Sequence, residues 1–530
     1  MTKLHDLIIV GSGPAGVGAA MGAVGHHIKP LVLDVGNEPP PHDGVDENFY
    51  DYRKRASVHD LMMGERHEGI YNILNRTTMS PKLTSPMMQY VIEGAEELSP
   101  LRENGFKAVQ SFAKGGLASA WGAGLFRYSD RELECMPVSA AELEPYYDAL
   151  TREIGIIGKE DDLTPYFGTD RDLLEPLNFS RKSGKLYRRY LKKRNKLNKK
   201  GIYMGFPRLG VLSRDHNGRS AEGRYNNTDS WLPKLPHVYN PAFTMERLVK
   251  EGAVDYRRNV LVKSWKRDGD GIVVLARDLE SGSDVSFRAK KLVLGAGAIN
   301  STKIVLASKG DYSSKLRLVD NPLVQVPLIF PEFIGSKLET EAFGMGHVSA
   351  VFDLEERGLL LQGGILELTS PARSAFFEQF PFSARNNMRL IRMAANSVLV
   401  MFLFFPSSKE NSASIGLTKE GLLEITCPPY SLDKKAISTV ANGFLKLGVM
   451  ASSLFTTYSK PGYGIHYAGS LPMKDEPKGD YDTNRFGELA GEPGVYIVDG
   501  AVLPDIAAKN LSLTIMANAM RIADHIGKKA

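Results

Sequence analysis

LIIVGSGPAGVGAAMGAVG, residues 7–25, decides how the rest of the chain is read. Asp6–Val10 has the large apolar residues of a short buried strand. Gly11-Ser12-Gly13-Pro14-Ala15-Gly16 follows, and small residues then run as a helix to about Gly25. Glycines at 11, 13 and 16 permit a tight turn and let the backbone approach a pyrophosphate, which then rests on a helix N-terminus. Pro30–Asp34 is a second strand. Its terminal acid lies 18 residues beyond Gly16, where a carboxylate suits a ribose 2′-hydroxyl. The stretch predicts a dinucleotide-binding α/β unit and does not separate NAD from FAD.

The same run is not read as a secretory signal. MTKLHD before it holds one lysine and one aspartate, small residues and Pro14 interrupt it, and a second strand, PLVLD, follows at once. No 18 consecutive residues are apolar, so no membrane span is expected. The most apolar segment, SVLVMFLFFP (397–406), is predicted to be a buried strand. Of 530 residues 43% are apolar, enough for a large core in several domains or one interleaved fold. The two cysteines, Cys135 and Cys427, make no disulfide framework, and reduced thiols in a cytoplasmic protein are the expectation.

The net charge of +5 is local. Residues 181–200, RKSGKLYRRYLKKRNKLNKK, hold eleven Lys and Arg and no acid, and the remaining chain is net negative, with 55 basic against 61 acidic residues. Leu186, Tyr190 and Leu197, with Tyr187 and Leu191, fall at helical spacing and predict one apolar stripe. Such a helix is either a solvated face or a docking face for anions, whether membrane lipid, an acidic partner or a phosphorylated substrate. No recognition motif for nucleic acid accompanies it.

Further along, residues 36–95 look like an insertion and 213–230 like a polar loop. Ala140–Ile157 reads as helix. VDYRRNVLVKSW, GIVVLARD and VSFRAKKLVLG, separated by DGDG and ESGSD, predict a three-stranded meander over 254–294, followed by a helix over 298–308. Residues 320–460 read as strands with one helix near 433–452. GVYIVDG (494–500) is a strand, and a last helix covers about 512–527. Gly295–Ala298, GAGA, repeats the strand–small residue–helix pattern and serves either a nucleotide or close packing. Asp499 either caps the next turn or accepts from a sugar-alcohol hydroxyl. His466, in GIHYAGSLPM (464–473), sits between Gly464 and Gly469 on a bent loop, where a lone histidine is more often structural. No HExxH, CxxC or GxSxG occurs, which leaves metal hydrolysis and serine-nucleophile chemistry without support.

Four segments together resemble the glucose–methanol–choline oxidoreductases: IIVGSGPAG, GGLASAWGAG, LVLGAGAINSTKIVLAS and GVYIVDGAVLPDIAAKNLSLTIMANAMRIADHI. The loop GGLASAWG is most similar to the pyranose-oxidase, sugar-oxidising branch. The resemblance implies an α/β (α+β) fold: a Rossmann-like FAD-binding domain of interleaved segments (1–40, 96–135, 225–310 and 461–530) and a substrate domain on a large antiparallel sheet (136–224 and 311–460), with 41–95 inserted. It implies an FAD-dependent oxidation of an alcohol, most naturally of a sugar or glycoside, phosphorylated or not, with O₂ or another acceptor. The alternatives are the same chemistry on a non-sugar alcohol, or a flavin-containing lyase without net redox.

The resemblance also assigns roles. His466 becomes the base facing the flavin and Asn510 the second catalytic residue at the start of the last helix. An imidazole with a pKa near about 6.5 takes the alcohol proton at neutral pH, and an asparagine holds the oxygen without competing as a base. The implied FAD contacts are Gly11, Gly13, Pro14, Ala15, Gly16 and Asp34; Gly116, Ala118, Ser119, Trp121 and Gly122; Val260, Ala296 and Gly297; and Asp499, Gly500, Asn510, Leu511 and Thr514. No metal ligand is assigned. His26–His27 ends a helix, while His237 and His347 are weaker candidates for reaching a substrate. Two departures stand out: Leu511 replaces the proline that often follows Asn510, and Ala120 occupies the place of a histidine that links FAD covalently in pyranose oxidases. FAD is therefore expected to be noncovalent.

Overall fold

The computed structural model describes residues 3–41, 83, 85–168, 171–222, 233–269, 271–337, 339, 342–367, 383–394, 396–453 and 456–529. The insertion expected at 41–95 and the loop at 213–230 lie in good part outside the described residues.

A seven-stranded sheet carries the first motif. Its order is Asp255–Arg257, Leu31–Leu33, Leu4–Val10, Asp284–Leu294, Gly271–Asp278 and Val260–Asp268, with Val495–Ile497 paired to the end of Asp284–Leu294. Leu4–Val10 is parallel to both neighbours, and Ile8 and Ile9 are fully buried. A central parallel strand has both faces covered, which is why it reads as an unbroken apolar run. The single strand predicted across 254–265 is two. Asn259 adopts φ 61°, so Asp255–Arg257 pairs parallel with Leu31–Leu33 while Val260–Asp268 opens the antiparallel meander.

The helix Pro14–Val24 packs along the last helix, Ser512–Lys528. A Cβ on Gly18 would lie 2.4 Å from the Met516 carbonyl oxygen, and one on Gly22 would lie 2.5 Å from that of Met520. The small residues after the GxGxxG turn are thus the docking face for the C-terminal helix, so the two ends of the chain build one layer.

The second sheet is antiparallel, in the order Thr457–Tyr458, Leu323–Ile329, Val398–Phe404, Leu359–Glu367, Gly346–Leu354 and Ile202–Gly205. SVLVMFLFFP supplies its buried strand and shows the alternation of a two-faced sheet. Leu399, Met401 and Leu403 point back, against Leu186, Tyr190 and Leu197 of the basic helix Arg181–Asn198 and Ile437, Val440 and Phe444 of the helix Lys434–Lys446. Val398, Val400, Phe402 and Phe404 point forward and line a cavity. The basic helix is therefore behind the sheet. Its predicted stripe is narrower than the spacing suggested, because Leu191 is 45% exposed. Several of its cations are neutralised: Lys182 pairs with Glu367 at 2.6 Å in the interior, Lys185 and Arg189 with Glu332, and Arg194 with Asp162.

The helix predicted to reach 452 stops at Lys446, because Gly448 turns the chain at φ 68°. A second helix in this region, Ala384–Ala394, was not expected, although Ala384, Met388 and Ile391 fall at helical spacing. A four-stranded sheet, ordered Leu101–Asn104, Leu423–Thr426, Ala413–Leu417 and Leu316–Leu318, completes the fold. No helix of the described residues is long and apolar enough to cross a membrane.

Candidate active site

A cavity of about 1740 Å³ runs between the first sheet and the front of the second. One wall is almost bare backbone. Gly11, Gly13, Pro14 and Ala15 line it, and the loop contributes Gly116, Ala118, Trp121 and Gly122. A Cβ on Gly11 would lie 2.6 Å from the Gly295 carbonyl oxygen, and one on Gly116, at φ 61°, would lie 3.2 Å from the Gly13 Cα. Side chains are excluded where the turn, the loop and GAGA meet, which leaves exposed peptide groups beside a helix N-terminus. Such a cradle fits a pyrophosphate.

Val260, Ala296 and Gly297 extend this wall, and Asp499, Gly500, Asn510 and Leu511 close its far end. Asp34 also lines it; burial pushes its carboxyl up to about 6, against hydrogen bonds from Ser12 Oγ and Tyr256 OH. Asp499 is a cap. It accepts from the Gly297 and Ala501 N–H groups and from Ser301 Oγ, fixing the start of the helix Ala298–Lys309 and the turn after 499. Three residues of the expected set stand off the cavity. Gly16 packs on the Gly11 backbone, where a Cβ would lie 1.9 Å from its oxygen. Ser119 Oγ donates to Lys114 O at 3.0 Å, and Thr514 Oγ1 bonds Tyr147 OH at 2.8 Å in the core.

His466 and Asn510, 44 residues apart, meet in this cavity: Asn510 Nδ2 lies 3.3 Å from His466 Nε2. Gly124 makes room, since its Cβ would come 2.9 Å from Asn510 Oδ1. The missing proline at 511 is offset by Lys509. Its ammonium is fully buried and donates to Glu132 Oε2 at 2.5 Å, Tyr166 O at 2.6 Å and Arg127 O at 3.1 Å, which fixes the backbone entering Asn510.

Two residues outside the sequence expectation govern His466. Asn321, fully buried, gives its amide hydrogens to Phe405 O at 2.7 Å and Ala507 O at 2.8 Å. Its Oδ1 is thereby turned toward His466 Nδ1, 2.9 Å away. An oxygen there can only accept, so Nδ1 carries the proton and Nε2 keeps its lone pair toward the cavity. Burial holds the imidazole pKa down to about 4, so the ring is neutral across the physiological range.

Asp320, also buried, accepts from the backbone N–H of Gly462 (3.0 Å), Gly464 (3.2 Å) and His466 (3.1 Å). Between the last two donors Ile465 adopts φ 56°, a conformation a β-branched residue takes at a cost of about 1–3 kcal/mol. The carboxylate holds the strained loop that aims the histidine. VDNP (319–322) signals only a turn, and nothing local connects it to a loop more than 140 residues later.

The other histidines weighed from the sequence, His347, His237 and His26, lie elsewhere. His347 is buried against Phe343 at 3.7 Å and His237 is buried outside the cavity; burial lowers both pKa values to about 4. His26, just past the end of its helix, pairs with Asp524 at 2.7 Å.

No family model matches the chain. It is similar to a 2-methyl-1,2-propanediol dehydrogenase from Mycolicibacterium austroafricanum, with 23% identity over 99% of this chain and 95% of the relative. Among solved structures it is similar to pyridoxine 4-oxidase from Mesorbium loti, with a TM-score of 0.59 and 13% identity, covering 98% of this chain and 99% of the other. The mixed α/β architecture with a large sheet domain is a glucose–methanol–choline oxidoreductase-like fold.

Proposed function

We propose that this chain is a glucose–methanol–choline-type oxidoreductase that oxidises an alcohol to a carbonyl with noncovalent FAD. The observation that carries the reading is the meeting of His466 Nε2 and Asn510 Nδ2 in a cavity that also holds a backbone cradle. FAD, when bound, supplies the two-electron acceptor for the hydride leaving the alcohol carbon. The cradle formed by Gly11–Ala15 and Gly116 suits its pyrophosphate and Asp34 a ribose hydroxyl, and Ala120 offers no atom for a covalent link.

The protein's own part is the proton. A substrate hydroxyl placed between the two side chains donates to the Nε2 lone pair of His466 and accepts from the Asn510 amide. Asn321 holds the tautomer that leaves Nε2 free and accepts the Nδ1 proton throughout, so the imidazolium formed when the substrate proton arrives keeps a partner on each side. The N-terminal end of the helix Ser512–Lys528 abuts the cavity at Leu511 and Ser512, where its dipole favours negative charge.

Both relatives bear the names of enzymes acting on alcohols, one a diol dehydrogenase and one an oxidase, and their names supply an alcohol without settling the electron acceptor. The sugar expected from the loop GGLASAWG has no support in those names.

The test is flavin reduction without oxygen. The yellow protein should bleach when given its alcohol, whereas a lyase or a pure binding protein would stay yellow with every alcohol tried. His466→Ala should retain FAD and lose about 10²–10⁴ in the reduction rate, the usual worth of a positioned base. Asn510→Ala should lose less in the same step, and the double variant should lose less than the product of the two, because both side chains hold one oxygen. A wild-type reduction rate in His466→Ala would make the imidazole structural.

A further inference from the structure

The front of the six-stranded sheet is the wall that faces the His466–Asn510 end of the cavity. Its strands present alternate residues forward: Pro327, Leu366, Val398, Val400, Phe402 and Phe404 are apolar. Phe404 stands beside the base, with ring centroids 5.3 Å apart. A sugar carries a hydroxyl on nearly every carbon, and each one pressed unpaired on such a wall costs about 1–3 kcal/mol. Two neighbouring phenylalanines suit instead a flat apolar body, which packs on aromatic faces.

Among the described residues, Gln325, Ser349 and Gln362 interrupt this wall with polar side chains, and of these Gln362 has a buried oxygen with no hydrogen bond. Gln362 is directly opposite Phe404 across the strand pair, is 4% exposed, and its Oε1 has no hydrogen bond. Gln110 is another cavity-lining amide with an unpaired oxygen, but it belongs to the segment that leads into the glycine-rich loop. Glu367, on the same strand as Gln362, is already held by Lys182 and Ser180. The oxygen itself is closed to solvent, so the cavity, which Gln362 lines, reaches it only once the amide turns about its own axis; a ligand that pairs with it then recovers the cost of leaving it unpaired.

We propose that the alcohol oxidised here carries its reacting hydroxyl on a largely apolar body together with one further hydrogen-bonding group, and that Gln362 holds that group. Phe404 neighbours both His466 and Gln362, so the second group is held near the reacting hydroxyl. An amide both donates and accepts, so a second hydroxyl answers it in either orientation. The proposal rests on the reading of His466 as the base of an alcohol oxidoreductase.

The experiment measures anaerobic flavin reduction of the FAD-loaded full chain by benzyl alcohol, 3-hydroxybenzyl alcohol, 4-hydroxybenzyl alcohol and D-glucose. The wild type should reduce at least about tenfold more efficiently with one of the hydroxybenzyl alcohols than with benzyl alcohol, because a site built around a polar group rejects the analogue lacking it. D-glucose should be the poorest of the four. Gln362→Leu should bring the preference for hydroxybenzyl over benzyl alcohol to within about threefold, and the near-isosteric Gln362→Met should do the same. A preference that survives both substitutions overturns the assignment, as does D-glucose outperforming the three ring alcohols. Loss of FAD from both variants also overturns it, since Gln362 would then serve the fold. Absence of bleaching by all four in a protein that dithionite still bleaches is a separate result, which brings down the underlying oxidoreductase reading together with this inference.

Discussion

Ile465 is where the site stores strain, and Asp320 is what keeps it there. A β-branched residue at φ 56° relaxes unless its neighbours are tied down, and the tie is one carboxylate accepting from the N–H groups on both sides of it. Burial pushes the Asp320 carboxyl up to about 7, even though those N–H bonds favour its charged form. Tyr430 OH, the Tyr467 ring and the Cys427 thiol are the other titratable groups around it; burial raises all three, so none is charged near neutrality. The imidazole itself, held near 4, does not titrate in this range. As pH falls through about 7 the carboxyl takes up a proton, its hold on the loop weakens, and flavin reduction should slow; above that pH the carboxylate and the rate are restored. Asp320→Asn should abolish this acid limb and lie roughly 10²-fold below the wild-type plateau, the usual cost of a reacting group displaced by about an ångström. Adding Ile465→Gly should recover much of the loss, since glycine needs no clamp to adopt a positive φ. An acid limb unchanged in Asp320→Asn, or a double variant no better than the single one, would remove Asp320 from this role.

Elements meet here at distances that reverse ordinary propensity rules. Glycine to alanine inside a helix normally stabilises by about 1 kcal/mol. At Gly18 the new methyl would lie 2.4 Å from the Met516 carbonyl, so Gly18→Ala should instead push the helix Pro14–Val24 off the last helix, at about 1–3 kcal/mol. The first helix starts at the cradle, so the same variant should also shed FAD during gel filtration. Gly25→Ala is the control: its Cβ would meet nothing nearer than 3.4 Å at φ −58°, and both melting temperature and flavin content should be unchanged. Equal behaviour of the two variants would mean that the contact between the two helices tolerates a methyl group at Gly18. The basic helix gives the opposite kind of expectation. It lies behind the sheet, so Lys192→Ala with Lys196→Ala, two exposed positions, should leave anaerobic reduction rates and their dependence on alcohol concentration unchanged. A weakened response confined to a phosphorylated alcohol would contradict that placement.

At the scale of the molecule, what the sequence discloses follows the range over which each constraint acts. The GxGxxG turn, the GAGA turn and the last helix are legible because each is a local strand–turn–helix or helical unit that leaves a run of small or apolar residues, even though their packing partners lie far along the chain. Asp320, Asn321 and Gln362 are not legible. Their partners are fixed by sheet register and by a loop crossing more than 140 positions away, and none of that leaves a local period. The cavity is the extreme case, for it is lined from Val10 to Ile515 and exists only when distant segments are in place. A ligand that fills it should hold those segments together. A compound that binds only the folded chain stabilises it by about 2.7 kcal/mol at a hundredfold excess over its Kd. With an unfolding entropy of about 2 cal/mol/K per residue, that is a rise of roughly 2–3 °C in melting temperature for a chain this long. Protein stripped of flavin should gain this increment from FAD and none from NAD, the other dinucleotide the first motif allows. Because Ala120 has no atom to bond the cofactor, acid precipitation of the loaded protein should leave the yellow colour in the supernatant. Colour in the pellet would reveal a covalent link from another residue, and stabilisation by NAD in place of FAD would return the cradle to a nicotinamide enzyme and remove the flavin chemistry built on it.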